Sequence, residues 1–388
     1  MRVTIVSPYD PRPAAGADPL GLRGGVEEAL DRCARGLARH GHDVTLVTSA
    51  PQAGETVDAD GVRVVRVRRH GSLFRAPIAA LWRRVPEDAD VVHVPATYPL
   101  VSDLVPLRES GRRAVVVDYH FDVHGTSLAM RAAAGLYEGT FGRAMRRATR
   151  IVCKSRDYAA HSPVLSRLPP ERVDWVPNGV DVDDFPLHEG PREDILCVGR
   201  LVPYKGVDVL VRAMPRIHDL TGARLTVVGD GPEHARLRSL AAQLGAPVDF
   251  RGRVPGPFLP SLYGSHRLTV LPSVNSQEAF GIALLESMAT GTPVVASDLP
   301  GVREVAALAG TTAPAGEPDA LADAVAAAHE NARAFGSPRE IRARVEARYA
   351  WPSVVRQLER VYERAVEATL ARPRKTARRA RVPAGGPS

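Results

Sequence analysis

Two carboxylates eight residues apart, Glu278 and Glu286, stand in the stretch 272–304, PSVNSQEAFGIALLESMATGTPVVASDLPGVRE. On one continuous helix, at about 100° per residue, they would lie about 80° apart. A helix beginning near Gly281 separates them by role instead. Glu278 then faces a cleft from the preceding loop, and Glu286 points inward beside Leu284, Leu285 and Met288. An inward carboxylate can accept two hydroxyls, as a ribose diol would offer. Phe280, Gly281 and Ile282 would form the helix N-terminus, where backbone N–H groups and the helix dipole favour a diphosphate.

A second anion site is spelled by Gly199 to Gly206, GRLVPYKG, after a predicted strand. Arg200 can grip a phosphate through two N–H groups, and Lys205 can add a point charge on the same anion. Lysine is scarce here: of 51 basic residues only Lys154, Lys205 and Lys375 are lysines. The loop is no Walker A motif, because Tyr204 precedes Lys205 and Gly206 follows it. VVGDGPE at 227–233 begins like GxGxxG, but His234 occupies the third glycine position, so a nicotinamide fingerprint fails. Gly229 in that turn stays among the candidate ligand-binding residues.

In the first half, Gly24 and Gly25 open a predicted helix and let the backbone approach an anion closely. His120 lies just past the strand run Val115 to Val117, in DYHFDVHG together with His124. A histidine there can hydrogen-bond a sugar hydroxyl or polarise a leaving group. Asp181-Val182-Asp183 matches a DxD pattern but sits among helix and strand breakers, so it is not read as a metal site.

The elements that must position these residues repeat one theme twice. Short β-branched runs alternate with helix-period segments, the pattern of parallel sheets covered by helices. Strands are predicted near residues 2–7, 43–48, 62–67, 91–94, 114–119 and 150–154, then near 194–198, 224–228, 248–251, 268–271 and 293–297. Val26, Leu30, Cys33 and Leu37 step along one helical face, and Gly41 suits a left-handed C-cap. The fold class is therefore α/β, with two Rossmann-like domains facing each other across a cleft. The expected boundaries are 1–186 for an N-terminal domain and 187–350 for a C-terminal domain. A helix over 351–370 and a disordered basic tail over 371–388 follow. In α/β sheets ligands bind outside the carboxyl ends of the strands, where most of these loops fall.

Composition removes other classes. At 388 residues and 44% hydrophobic the chain is long enough for two or three packed domains, and no run approaches the roughly 18 apolar residues of a membrane span. The three cysteines are far apart with no ligand spacing, so they are expected as reduced core residues. The net charge of +7 owes +6 to Arg372, Arg374, Lys375, Arg378, Arg379 and Arg381 of the acid-free tail. The body is nearly neutral, which argues against nucleic acid as a partner. The tail, with the basic segment 143–150, suits weak adhesion to an anionic membrane surface. A cytoplasmic protein, peripheral at the inner face of the membrane, is the expectation.

Together the segments resemble the retaining GT-B glycosyltransferases of family 4. VPNGVD at 176–181, GRLVPYKG at 199–206, VVGDGP at 227–232, the Glu278 to Glu286 spacing and GTPVVAS at 291–297 occur in that family's order. The resemblance implies that Arg200 and Lys205 bind the donor diphosphate, that Glu286 binds the ribose and that Glu278 lies beside the transferred sugar. It places Gly24 and Gly25 near the diphosphate and acceptor, His120 on the donor sugar, Gly229 among the donor-binding residues and the backbone around Arg253 and Val254 at the base. It also makes 1–186 the acceptor-binding and 187–350 the donor-binding domain. His120, Glu278, Arg200 and Lys205 are thereby the catalytic candidates. The implied reaction moves a hexosyl group from a UDP- or GDP-sugar to a hydroxyl of a lipid, inositol or natural-product acceptor. No cofactor and no obligatory metal is implied. A non-catalytic nucleotide-sugar binding protein, or a hydrolase or isomerase of the same fold, is the competing reading.

Overall fold

The structure is a computed structural model that describes residues 1–12, 25–73, 76–96, 101, 103–120, 122 and 142–371. The predicted positions Gly24 and His124 and the basic tail from residue 372 lie outside these.

The first half contributes β1 (Arg2–Ser7), β2 (Asp43–Ala50), β3 (Gly54–Val57), β4 (Arg63–Arg68), a two-stranded ribbon of β5 (Ser72–Leu73) and β6 (Ala76–Pro77), then β7 (Val91–Pro95), β8 (Ala114–Tyr119), β9 (Arg150–Cys153) and β10 (Val173–Trp175). Apart from the ribbon they form one sheet in the order β10-β9-β8-β7-β1-β2-β4-β3, in which only β3 runs antiparallel to its neighbour. The second half contributes β11 (Glu193–Val198), β12 (Leu225–Val228), β13 (Val248–Gly252), β14 (His266–Leu271), β15 (Val294–Ser297) and β16 (Gly310–Ala313). Their order, β13-β12-β11-β14-β15-β16 and parallel throughout, is the doubly wound arrangement. The reversal of strand order lies between β1 and β7 in one sheet and between β11 and β14 in the other. Those two points are where a crevice opens for a ligand.

Besides the two-residue strands β5 and β6, three strands escape sequence patterning. β3 is an exposed four-residue edge, β10 has three residues, and β16 is the sequence GTTA at a sheet edge. None carries the apolar run or clean alternation on which a strand prediction rests.

The amphipathic helices behave as their periodicity dictates. Gly25–Arg39 buries Leu30, Cys33, Ala34 and Leu37, and the final helix Trp351–Leu370 buries Val354, Val355, Leu358, Val361, Tyr362 and Ala365. Both faces meet in one core with Val3, Ile5, Val91 and Val116 of the first sheet, so the last helix of the chain packs on its first domain. Each such side chain contributes about 1.5–3 kcal/mol on burial. Closest approach is at Gly36, where a Cβ would lie 2.4 Å from Val355 Cγ2. Gly36→Ala should therefore destabilise the fold by about 1–3 kcal/mol in urea denaturation, and Val355→Ala in the same chain should restore part of the loss. Cys33, Cys153 and Cys197 are free and buried, and burial pushes each thiol up to about 12.

Candidate active site

The loops after β11 and β14 flank the strand-order reversal of the second sheet and interlock there. Gly206 adopts φ +60°, and a Cβ on it would lie 2.1 Å from the Pro272 carbonyl oxygen. Only glycine lets the two loops approach this closely. The approach sets Lys205 against Glu278: Lys205 Nζ donates to Glu278 Oε2 at 2.5 Å, and Ser273 Oγ donates to the same oxygen at 3.0 Å. Burial alone would lower the Lys205 pKa, but the Glu278 carboxylate outweighs it and raises the ammonium above its ordinary range.

Glu278 stays in the loop because the next helix starts at Ile282, after Gly281 at φ +83°. One and a half turns into that helix, Glu286 receives a 2.6 Å hydrogen bond from the Tyr263 hydroxyl. Burial raises the Glu286 pKa above the usual carboxylate range, against the Tyr263 hydrogen bond, and Glu28 adds to the rise. The first domain closes the opposite wall. Gly25 begins its helix so near Ile282 that a Cβ on it would touch Ile282 Cδ1 at 3.6 Å. His120, 7% exposed, follows β8.

These groups line one cavity of about 310 Å³, which brings together Gly25, His120, Lys205, Glu278, Phe280, Gly281, Ile282 and Glu286. A second cavity of about 620 Å³ shares Gly25, Asn178, Ile282 and Glu286 and extends between Glu28 and Arg32 on one side and residues 256–260 on the other. Their sizes match small-molecule sites, which run about 300–1,000 Å³. Arg200, Gly229, Arg253 and Val254 line neither. Arg200 is exposed and makes no side-chain hydrogen bond or ion pair among the described residues, so its guanidinium is not committed to a protein partner. Asp181 of the DxD sequence pairs with Arg32 at 2.9 Å, and among the described residues no group of His, Cys, Asp and Glu is arranged to hold a metal.

Sequence reasoning missed Asn178, Tyr263 and Ser273. Asn178 sits within VPNGVD, yet nothing in that string sets its amide apart, and it lines both cavities. Tyr263 and Ser273 carry no signal at all, since each takes its role from a carboxylate distant in sequence or in the next turn of loop.

Comparison with known proteins identifies the family. Residues 23–184 match the glycosyltransferase family 4 model, and residues 192–331 match the glycosyl transferases group 1 model. A phosphatidyl-myo-inositol mannosyltransferase of Mycolicibacterium smegmatis is 30% identical, with 94% of each chain covered. The chain is a family 4 glycosyltransferase. This glycosyltransferase is also 26% identical to a phosphatidylinositol N-acetylglucosaminyltransferase component of Arabidopsis thaliana, over 89% of this chain and 80% of that one. Among solved structures, sucrose-phosphate synthase from Thermosynechococcus elongatus superposes with TM-score 0.73 at 21% identity, covering 95% of this chain and 99% of that one. Anabaena HepE in complex with UDP superposes with TM-score 0.68 at 18% identity, covering 94% and 100%. The transferase thus has the GT-B fold, two Rossmann-like domains about a cleft. No described helix is long and apolar enough to cross a membrane.

Proposed function

We propose that this glycosyltransferase moves a hexosyl group, with retention at the anomeric carbon, from a UDP- or GDP-sugar to a hydroxyl of a lipid, inositol or natural-product acceptor. The observation that carries the reading is the convergence of Lys205, Glu278, Glu286, His120 and a helix N-terminus on one cavity at the strand-order reversal of the donor-side sheet. In this reading the Glu286 carboxylate accepts the ribose hydroxyls. The diphosphate rests on the N-terminus of Ile282–Ala289 within reach of Lys205, and Arg200 swings in from solvent. Glu278 and His120 flank the sugar.

The bond from the anomeric carbon to the diphosphate oxygen breaks as the acceptor oxygen bonds to the same face. The acceptor proton passes to the departing diphosphate oxygen. Charge grows on that leaving group, and Lys205, Arg200 and the helix dipole stabilise it from fixed positions, the role a divalent ion fills in other transferases. Glu278 acts as an electrostatic and positioning group beside an oxocarbenium-like sugar, so no protein nucleophile is required. Residues 1–186 serve as the acceptor side and 187–350 as the donor side. The relatives that act on phosphatidylinositol favour an inositol-bearing or lipid-linked acceptor, reached by peripheral association at the cytoplasmic membrane face.

Calorimetric titration with UDP, GDP and their hexose conjugates tests this directly. One nucleotide series should bind, and Arg200→Ala and Glu286→Ala should each weaken it, Arg200→Ala by about tenfold or more through loss of a charged hydrogen bond. Absence of binding to every member of the panel by the unmodified protein would sink the donor-site reading.

A further inference from the structure

Two of the chain's three lysines, the buried Lys154 and the half-buried Lys205, each end on a carboxylate. Lys205 and Glu278 belong to the cavity. The other pair, Lys154 and Asp118, lies behind the cavity wall, and nothing in the reaction as derived uses it. Lys154 follows β9, and Asp118 sits on the adjacent β8. Lys154 Nζ lies 2.7 Å from Asp118 Oδ1 and 2.8 Å from Oδ2.

Two imidazoles turn toward the same carboxylate: Nε2 of His93, from β7, lies 3.4 Å from Asp118 Oδ2, and Nε2 of His120 lies 3.3 Å from it. His93 Nδ1 in turn stands 2.8 Å from the hydroxyl of Tyr362, which the final helix delivers. All five side chains are buried. Of the five, His120 reaches the cavity. The charged and titratable groups around it are Asp118 and Asp122 on its own segment, His93 on β7, Lys154 just past β9, Cys33 behind them on the Gly25–Arg39 helix, and Lys205, Glu278 and Glu286 in the cavity wall.

A buried carboxylate facing two histidines would draw a proton onto one of them unless another cation satisfied it first. An imidazolium on the cleft wall would oppose the positive charge that develops on the sugar at the transition state, whereas a neutral imidazole can still hydrogen-bond a sugar hydroxyl. We propose that Lys154 is a positioning residue which neutralises Asp118 and so keeps His120 an uncharged imidazole against the donor sugar. This rests on reading the cavity as the donor site with His120 beside the sugar. Burial lowers the His120 pKa against the pull of Asp118, with Lys154 adding to the fall. Burial would raise the Asp118 carboxyl, but the groups packed against it outweigh burial and hold it well below the ordinary range, and with His120 uncharged Lys154 is the cation that remains on it.

The test follows His120 by NMR of its ring C–H group, assigned with His120→Gln, alongside the pH profile of kcat/KM. In Lys154→Met the His120 titration should rise by about one pH unit or more, and the acid limb of kcat/KM should rise with it while the alkaline plateau is kept. Lys154→Arg should stay closer to the unmodified protein. Asp118→Asn/Lys154→Met removes both charges, should fold even where Lys154→Met does not, and should keep the titration low. An unmoved titration in folded Lys154→Met, a loss of kcat equal at all pH values, or an upward shift in the double variant overturns the proposal. The NMR titration needs no turnover, so failure of the unmodified protein to bind nucleotide would count against the donor site alone.

Discussion

Lys205→Met should lower kcat by about 10²–10³, the usual cost of removing one fixed charge or donor from the place where transition-state charge develops. The ammonium is held at 2.5 Å by Glu278 and is ready at the mouth of the loop before any donor arrives, so no reorganisation is needed at the moment of bond cleavage. A role in charge development predicts a fall in kcat larger than any rise in donor KM, because in the proposed binding mode the ground-state diphosphate would still rest on the N-terminus of Ile282–Ala289. Steady-state kinetics with saturating acceptor would decide it. A variant within about threefold of the unmodified kcat would show that Lys205 is a structural counter-ion of Glu278 and little else. Glu278→Gln should also be strongly impaired. The double variant Lys205→Met/Glu278→Gln should cost clearly less than the two single losses combined, since the ammonium and carboxylate act as one unit.

Glu286→Ala should weaken nucleotide binding by about 10²–10⁴, from two hydrogen bonds to a charged group at about 1.5–3 kcal/mol each. In the proposed donor site the ionised carboxylate is the form that would accept the ribose hydroxyls, and burial has raised its pKa in the free protein. The sign follows: affinity is full above the raised pKa and falls as pH drops through it, because protons and ribose compete for the same oxygens. Glu286→Gln should bind weakly with that pH dependence gone. Tyr263→Phe removes the hydrogen bond that favours the ionised form, so its affinity should begin to fall at a higher pH than in the unmodified protein. Nucleotide titrations across the acid range measure all three. A Glu286→Gln affinity that tracks pH as the unmodified protein does would move the dependence to another group.

Many residues that line the cavity were legible along the chain as candidates. Glu278 and Glu286 fall on either side of Gly281 in sequence, and the positive φ of that glycine is what ends the loop and starts the helix between them. The amphipathic stripe from Val354 to Ala365 announced a buried helix, and it is buried. Lysine scarcity marked Lys205 and applied equally to Lys154, but the count says nothing of its burial against Asp118. Arg200 shows the converse. Its spacing from Lys205 implied a shared anion, yet in the free protein Lys205 turns into the cavity and Arg200 faces solvent.

Local periodicity by itself determined which faces are apolar, hence strands, helices and two parallel sheets, because a buried face repeats every two or 3.6 residues wherever it lies in the chain. It also determined which residue types stand at strand ends, and so the kind of ligand the chain is equipped to hold. The partners of those residues were decided by the tertiary structure alone. Lys205 meets Glu278 across 73 positions, and His93 meets Tyr362 across 269. Such pairs depend on strand order and on where the last helix packs, which are set by the burial of whole sheets and leave no period in the sequence. The electrostatics of the site follows from those pairs, because a carboxylate or imidazole is tuned by what lies within a few ångströms of it, however far away along the chain.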